Sequence, residues 1–384
     1  MGHSIIWTIY KLLILLVCLL SMFFFPLREV PQAWIAFVVA ITGFIMLTLC
    51  KISKSNKNTI CILFLGLFYI YKMIVQGNAF QTIDFFVLLP IIIFNDDLKI
   101  DIYRFVSRGF AILLSISLIA WILFLLGYIS TIGYSDFMGY NFITHPLFIC
   151  DPGAGITLPR FHGLFLEPGH IGMICALFLY ANHYKLKSFD NVVFILSIIL
   201  SFSSAAYIIT LLGYVFYLYS RYGIKKIWKK MLPFVMLLLL IIVINLDEDS
   251  VIYQLVFRKF IDVDSIIEEN RYESAFISYY SNKMSDWNNY LFGISDFDSS
   301  KFPGNSGIKF FLCRIGLIGL LLVLWVYFKI LKLNSCKSTI LFFVLYVVSF
   351  IQRPYLEWYI MWIIFITSTP LLFSNEAHSY DTSI

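Results

Sequence analysis

Charged residues are scarce in this chain, where Asp, Glu, Lys and Arg make up 13% of 384 residues, about half the share of an ordinary soluble domain. Polar stretches long enough to fold as a separate soluble domain are also absent from the sequence. Hydrophobic residues reach 60% and the mean hydropathy is +0.85, which is more apolar surface than one soluble core can bury. These features exclude a water-soluble protein and predict a chain that is solvated by lipid.

Cysteine pairs with metal-binding or redox spacing are missing too. The seven cysteines are scattered, most of them within apolar runs, and no CxxC pair occurs. The cysteines therefore predict neither a metal-binding motif nor a disulfide framework. The net charge of +5 does not indicate nucleic-acid binding, because Lys and Arg in a membrane protein first report the cytoplasmic side.

Apolar runs of about 20 residues, the length that crosses roughly 30 Å of hydrocarbon, recur from end to end. The first run is followed by no small-residue cleavage site, so we expect it to stay as a helix. The sequence predicts an all-α polytopic membrane protein in which residues 1–384 form a single membrane domain. Spans are predicted at about residues 5–25, 31–50, 59–75, 80–94, 105–127, 169–184, 191–220, 231–246, 307–331, 339–351 and 355–373.

Short basic loops predict which ends of these spans face the cytoplasm. Such loops stand at both ends of residues 191–220, so this stretch must cross outward and return as two short helices. We expect them to meet near Phe202-Ser203-Ser204, at a depth where protein or a water-filled cavity must line the non-helical backbone. About twelve crossings follow, with both termini in the cytoplasm.

Two larger polar segments then fall on the outer face, at residues 128–168 and 247–306. In the second, the amphipathic stretch 254–280 leaves room for one or two helices lying along the membrane surface. Residues 287–307 are rich in Gly, Asn, Asp and Ser and are predicted to form loop. We expect the functional groups on this face.

The densest group of chemically active side chains precedes the sixth span: Arg160, His162, Glu167 and His170. Pro168 suits the first turn of a helix, which places Glu167 near the positive end of the helix dipole. The alternative is that Glu167 only caps this helix and that both histidines lie in solvated loop. For the group as a whole, the combination of a cation, a carboxylate and two imidazoles favours a functional site.

Several arginines stand where the positive-inside rule does not predict them. Arg314 lies about two turns into the ninth span, and an arginine inside a span normally faces a partner or a wet cavity. Arg353 lies in the tight connection of the last two spans. For Arg271, in the second outer segment, a surface salt bridge and a contact with a ligand are equally open interpretations. Guanidinium groups at the outer boundary fit an anionic lipid headgroup, such as a pyrophosphate-linked lipid.

These features together resemble the Wzy-type O-antigen and capsular repeat-unit polymerases, relatives of the O-antigen ligases. The topology of the whole chain takes part in the resemblance, whereas specific motifs cover only about 150 residues. The motifs are Arg160 to Gly172, Ser201-Phe-Ser-Ser204, Arg271, Asn289-Tyr-Leu-Phe-Gly293, and Gly304-Asn305-Ser-Gly307 leading to Arg314-Ile-Gly-Leu-Ile-Gly319.

The resemblance implies a glycosyltransferase of the C type in the bacterial inner membrane, working on the outer face without a nucleotide sugar, a metal or another cofactor. It would transfer a growing glycan from undecaprenyl pyrophosphate to a lipid-linked repeat unit, and a chain-length regulator is a possible partner. Arg160, Arg271, Arg314, Arg353 and Asn305 are the expected pyrophosphate and glycan contacts. Glu167 is the leading candidate for the base that activates the acceptor hydroxyl, followed by His162 and His170.

One departure separates the two branches of this family. The ligases carry a histidine in the outer loop before the ninth span, whereas this chain has Pro303-Gly-Asn305 there and no histidine between His183 and His378. The departure favours a polymerase over a ligase. A transporter of lipid-linked sugars shares the topology and the lipid, but the sequence contains no convincing internal repeat of the kind many transporters have.

Overall fold

The structure is a computed structural model, and most of the chain is described in it. The predicted span at 231–246 and most of the outer segment 247–306 lie outside the described residues, so the expectations for those residues stay predictions. In the described part of that segment, Ser274–Lys283 and Trp287–Phe292 are helical, so the prediction of loop was wrong for the first six residues of 287–307. The described residues are 2–49, 56–77, 79–137, 140–150, 159–223, 274–295, 297–298, 301–302, 307–352 and 355–381.

This part of the chain is predominantly helical, as its apolar runs predict. Two short 3-10 helices, Phe25–Leu27 and Ala79–Thr82, accompany the α-helices. The α-helices are α1 (Gly2–Ser21), α2 (Gln32–Leu49), α3 (Asn56–Gln76), α4 (Ile83–Ile93), α5 (Asp96–Leu125), α6 (Pro168–Ala181), α7 (Phe189–Leu200), α8 (Ser204–Tyr222), α9 (Ser274–Lys283), α10 (Trp287–Phe292), α11 (Ile308–Leu333), α12 (Lys337–Gln352) and α13 (Tyr359–Asp381).

Five helices in the described residues, α1, α2, α3, α5 and α11, are long and apolar enough to cross a membrane. Another five, α4, α6, α7, α12 and α13, are shorter apolar helices, and all ten coincide with predicted spans. Local signals set some of the boundaries: Asn95 Oδ1 accepts from the backbone N–H of Leu98 at 2.9 Å, and Asp96 and Asp97 follow at the positive end of α5. The protein is thus a membrane-embedded helical protein.

The described part of the first outer segment contains a small antiparallel sheet, which the sequence analysis did not predict. Its strands are β1 (Gly133–Phe137), β2 (Tyr140–His145) and β3 (Phe148–Cys150), in the order β1-β2-β3. Ile143 pairs with Tyr134 on one side and with Cys150 on the other. The aromatic and β-branched residues favour strands, but runs of three to six residues are too short for the alternation to stand out.

The predicted break within residues 191–220 is present. Helix α7 ends at Leu200 and α8 begins at Ser204. Phe202 between them has a φ of 45°, in the left-handed region, which ends the first helix. Ser203 caps the second, since its Oγ accepts from the N–H of Ala206 at 3.4 Å.

The chain divides into two compact units, residues 1–110 with 274–384 and residues 111–273, and the boundary falls within α5. In the first unit, α11 packs against α3, and α2 packs against α1 and α4. In the second unit, α6 packs against both α7 and α8. A Cβ atom on Gly172 of α6 would lie 2.5 Å from the Cβ of Ala206, so the closest approach of α6 and α8 requires glycine there.

Helix α11 is interrupted at Gly316, whose φ of 64° and ψ of −178° are not helical. Gly293, immediately after α10, has nearly the same conformation and lies against it, because a Cβ on Gly316 would stand 2.4 Å from the N of Gly293. The interruption leaves carbonyl groups of α11 to be satisfied from elsewhere. The N–H of Ile294 donates to the carbonyl of Cys313 at 2.8 Å, and the Tyr71 hydroxyl donates to that of Ile315 at 2.8 Å.

We expect Gly316→Ala and Gly293→Ala each to destabilise the protein by about 1–3 kcal/mol or more, because only glycine adopts this backbone region without strain and the two backbones touch. The measurement is the thermal midpoint of the detergent-solubilised chain. Gly66→Ala in α3 is the control, since its Cβ would meet only the Phe85 ring at an ordinary 3.6 Å. Equal midpoints for all three variants would refute this account of the break.

Candidate functional site

The predicted group before α6 is assembled around a carboxylate–imidazole pair. Glu167 Oε2 lies 3.4 Å from His170 Nε2, with the carboxylate side chain 23% exposed and the imidazole 2% exposed. Glu167 occupies the N-cap position of α6, but its side chain accepts no capping hydrogen bond. Capping alone therefore does not account for Glu167, and the imidazole of His170 is buried rather than solvated.

Arg160 connects this group to the break between α7 and α8, 41 residues further along the chain. Its Nε donates to the carbonyl of Ser201 at 3.1 Å and its Nη2 to that of Phe202 at 3.4 Å. The N–H of Phe161 donates to the carbonyl of Leu200 at 3.0 Å. Residues 160–161 thus satisfy carbonyl groups at the end of α7, and two motifs of the sequence analysis form one structural unit.

His162 is buried among aromatic and backbone groups of the same unit. Its Nδ1 lies 3.2 Å from the carbonyl oxygen of Leu166, and its ring lies 6.1 Å from that of Phe142 in β2. Gly163, with a φ of 56°, accepts from the N–H of Ile149 at 2.7 Å and so ties the segment to β3. The small sheet therefore supports the backbone that carries His162.

His145, at the end of β2, was not a predicted site residue and acts locally. Its ring stacks on Phe148 with centroids 4.9 Å apart, and its Nδ1 accepts from the N–H of Leu147 at 3.2 Å. Burial lowers the pKa of this imidazole below its ordinary value. A neutral His145 at neutral pH fits the turn between β2 and β3.

The other unit contains a chain of four charged side chains that alternate in sign. Arg314 Nη2 donates to both carboxylate oxygens of Glu357, at 3.3 and 3.0 Å. Glu357 also forms an ion pair with Lys72, and Lys72 Nζ lies 3.9 Å from Asp84. The hydroxyl of Tyr359 donates to the second oxygen of Asp84.

Exposure differs sharply along this charged chain, which we call the charge chain. The side chains of Glu357 and Lys72 are only 6% and 7% exposed, whereas that of Arg314 is 33% exposed. Arg314 precedes the interruption of α11 by two residues, and Tyr71 and Gly293 fix the backbone there. The charge chain therefore ends at a positioned guanidinium that is open on one side.

The sequence analysis identified Arg314 but missed its partners Lys72, Asp84 and Glu357. Lys72 is the single charge of the apolar span Asn58–Gln76 in α3, and Asp84 is the single charge of α4, which is the same signal that identified Arg314. Glu357 follows the predicted site residue Arg353 by four positions. Arg353, Arg271 and Asn305 lie outside the described residues, so their predicted roles stay predictions.

These arrangements are electrostatic in character, and within the described residues no group of three or more His, Cys, Asp or Glu side chains lies together in a way that could hold a metal ion. The fold, the group around Glu167 and the charge chain define a membrane-embedded helical protein with buried, paired charges. Comparison with family models, with curated proteins and with solved structures gives no match to this chain.

We expect Arg314→Met and Glu357→Gln to be destabilising singly and much less so together. Each single change leaves a mostly buried charge without a balanced partner, at a cost of about 3–5 kcal/mol for a fully buried pair and less at the partly exposed Arg314. The double variant keeps Lys72 with Asp84 as a neutral pair. Thermal midpoints of the four forms in detergent measure the coupling, and strictly additive losses would contradict the ion pair.

Proposed function

We propose that this protein is a polymerase of lipid-linked glycan repeat units, of the Wzy type, acting on undecaprenyl-pyrophosphate-linked oligosaccharides at the outer face of the bacterial inner membrane. The proposal includes about twelve crossings with both termini cytoplasmic, in a C-type glycosyltransferase architecture. The surface glycan would be O-antigen or capsule. The observation that carries the proposal is Arg314, an intramembrane guanidinium that is one third exposed at the end of the charge chain.

Arg314 suits a pyrophosphate because a guanidinium keeps its charge in an apolar setting and donates in parallel to phosphate oxygens. In the proposed reaction, the acceptor hydroxyl oxygen bonds to the anomeric carbon while the bond from that carbon to the pyrophosphate oxygen breaks. Negative charge grows on the departing pyrophosphate. A positioned cation in a site of low dielectric stabilises that charge, which is a major source of rate enhancement in such transfers.

Glu167 is the proposed base that takes the proton of the acceptor hydroxyl. A carboxylate that is partly exposed and 3.4 Å from an imidazole has both access to a substrate and a neighbour that orients it. His170 is assigned this orienting role, and His162 remains a second candidate for a proton transfer. The contact between Glu167 and His170 in one unit supports these assignments, and Arg314 belongs to the other unit.

We propose a different role for Arg160 from the pyrophosphate or glycan contact that the sequence predicted. Its Nε and Nη2 donate to carbonyl groups at the α7–α8 break, so we propose that it chiefly holds this break and the segment that leads to Glu167. Arg271, Arg353 and Asn305 keep their proposed roles as pyrophosphate or glycan contacts. The proposal thus assigns one base, one cation and three further polar contacts, without placing them in one site.

A transporter of lipid-linked oligosaccharides is the second candidate, and one observation favours it. Helices interrupted at membrane depth often line substrate paths in transporters, and α11 is interrupted at Gly316. A ligase of the same superfamily is a third possibility. Loss of a polymerase would leave a different surface glycan from loss of a transporter or a ligase.

The test deletes the gene in its host and resolves the surface polysaccharide by length on a gel. We expect the ladder to collapse to single repeat units, wild type to restore it, and Glu167→Gln to fail, because removing a general base typically costs about 100- to 10,000-fold in rate. Glu29→Gln is the matched control, since Glu29 is an exposed carboxylate. Immunoblots of membranes check that all variants accumulate equally.

The other outcomes distinguish the candidates. Loss of even the single-unit product would indicate a ligase or a transporter, and an unchanged ladder would exclude this class of proteins altogether. In the same assay, the variant combining Arg314→Met with Glu357→Gln separates stability from function. We expect it to accumulate but to polymerise about ten- to a hundredfold less, the loss of one charge-assisted phosphate contact. Normal polymerisation would remove Arg314 from the site.

A further inference from the structure

The order of charges in the charge chain assigns a role to Lys72, a residue on α3 that the proposed reaction does not use. From one end to the other, the groups are Asp84 on α4, Lys72 on α3, Glu357 before α13, and Arg314 on α11. Charge therefore alternates from negative at Asp84 to positive at Arg314. The four formal charges sum to zero, but the charge chain has a negative end at Asp84 and a positive end at Arg314.

Two cations meet on a single oxygen at the centre. Both Lys72 and Arg314 contact Oε2 of Glu357, and Arg314 uses only its Nη2 nitrogen for this carboxylate. Its Nε and Nη1 donate to no other side chain or carbonyl in the described part of the protein. Since the Arg314 side chain is also 33% exposed, the edge of the guanidinium formed by these two nitrogens can receive a second anion.

Arg314 and Glu357 alone would form a neutral pair, and such a pair attracts an anion only weakly. Lys72 adds one positive charge to the same carboxylate, so the three groups nearest the open edge carry a net charge of +1. Asp84 contacts Lys72 and forms no ion pair with Arg314 within the described residues, which places the compensating charge at the far end. The Tyr359 hydroxyl hydrogen-bonds to Asp84 there.

We infer that Lys72 is a positioning residue for phosphoryl binding: it neutralises Glu357 so that the carboxylate fixes Arg314 in place without cancelling its attraction for an anion. Lys72 does not contact the ligand itself, because its side chain is only 7% exposed. This inference rests on the proposed function, in which the ligand of Arg314 is a lipid pyrophosphate. It adds that binding of the pyrophosphate by Arg314 depends on the positive charge of Lys72, which contacts the same carboxylate.

If Lys72 were only structural, its effect would depend on the net charge of all four groups of the charge chain. If it positions Arg314, its effect depends on the net charge of Lys72, Glu357 and Arg314 alone. Lys72→Met changes both net charges, leaving the network at −1. Lys72→Met combined with Asp84→Asn returns the network to zero but leaves Arg314 and Glu357 as an isolated neutral pair. The double variant therefore separates the two roles, and Lys72→Arg tests whether the positive charge alone is sufficient.

The experiment measures binding of radiolabelled undecaprenyl pyrophosphate to the purified full chain in detergent, with undecaprenol as the uncharged comparison lipid. We expect Lys72→Met to weaken binding of the pyrophosphate lipid about tenfold or more, and Lys72→Arg to stay within about threefold of wild type. The double variant should regain the thermal midpoint of wild type but bind about as weakly as Lys72→Met. Binding of undecaprenol should not change in any variant.

Lys11→Met is the matched control, because Lys11 is a mostly buried lysine that pairs with Asp101 at 2.8 Å in the same unit. It should leave affinity for undecaprenyl pyrophosphate unchanged. Wild-type affinity in Lys72→Met, or in the double variant, would overturn the positioning role while the proposed function stands. If wild type binds undecaprenyl pyrophosphate no better than undecaprenol, the proposed ligand of Arg314 is wrong, and the inference fails with it.

Discussion

The carboxylate of Glu357 is the group on which the charged architecture of its unit depends. Burying an ion in an apolar interior costs several kcal/mol, and close pairing with excellent geometry is needed to offset that cost. Glu357, in the connection before α13, accepts from Lys72 on α3 and from Arg314 on α11. Without Glu357, Arg314 would lose the ion pair that fixes its side chain, and Lys72 would keep only the longer contact with Asp84. One acidic side chain in the six-residue connection between α12 and α13 thus links α3 and α11 to the start of α13.

A related constraint governs the two interrupted helical segments. Backbone groups released inside a membrane protein must find partners, because lipid offers none. At the α7–α8 break, the carbonyls of Ser201 and Phe202 accept from Arg160. At Gly316, the carbonyls before the interruption accept from Tyr71 and Ile294. In both places the partner comes from a distant part of the sequence, and a residue predicted to be functional stands beside the break.

The sequence predicts these elements unequally, for physical reasons. Apolar runs gave the positions of the ten apolar helices in the described residues, because the length of a span follows from the thickness of the hydrocarbon. Topology gave the break near Phe202, since basic loops at both ends of residues 191–220 left no other arrangement. The strands around Ile143 were missed because short strands carry little periodic signal. The kink at Gly316 was missed because a glycine in an apolar run is as compatible with a continuous helix as with a broken one.

The candidate sites were predicted by residue type but not by pairing. Arg314 stood out because an arginine in a span is costly, and the same physical argument applies to Lys72 and Asp84, whose helices are equally apolar. Single charges of opposite sign in separate spans need one another, so each predicts the existence of the other. What one sequence lacks is the pairing, because α3, α4 and the connection before α13 are separated by up to 285 residues and only the packing of the helices brings them together. In a membrane protein, an isolated charge in an apolar run therefore indicates a network whose other members are charges in the remaining runs.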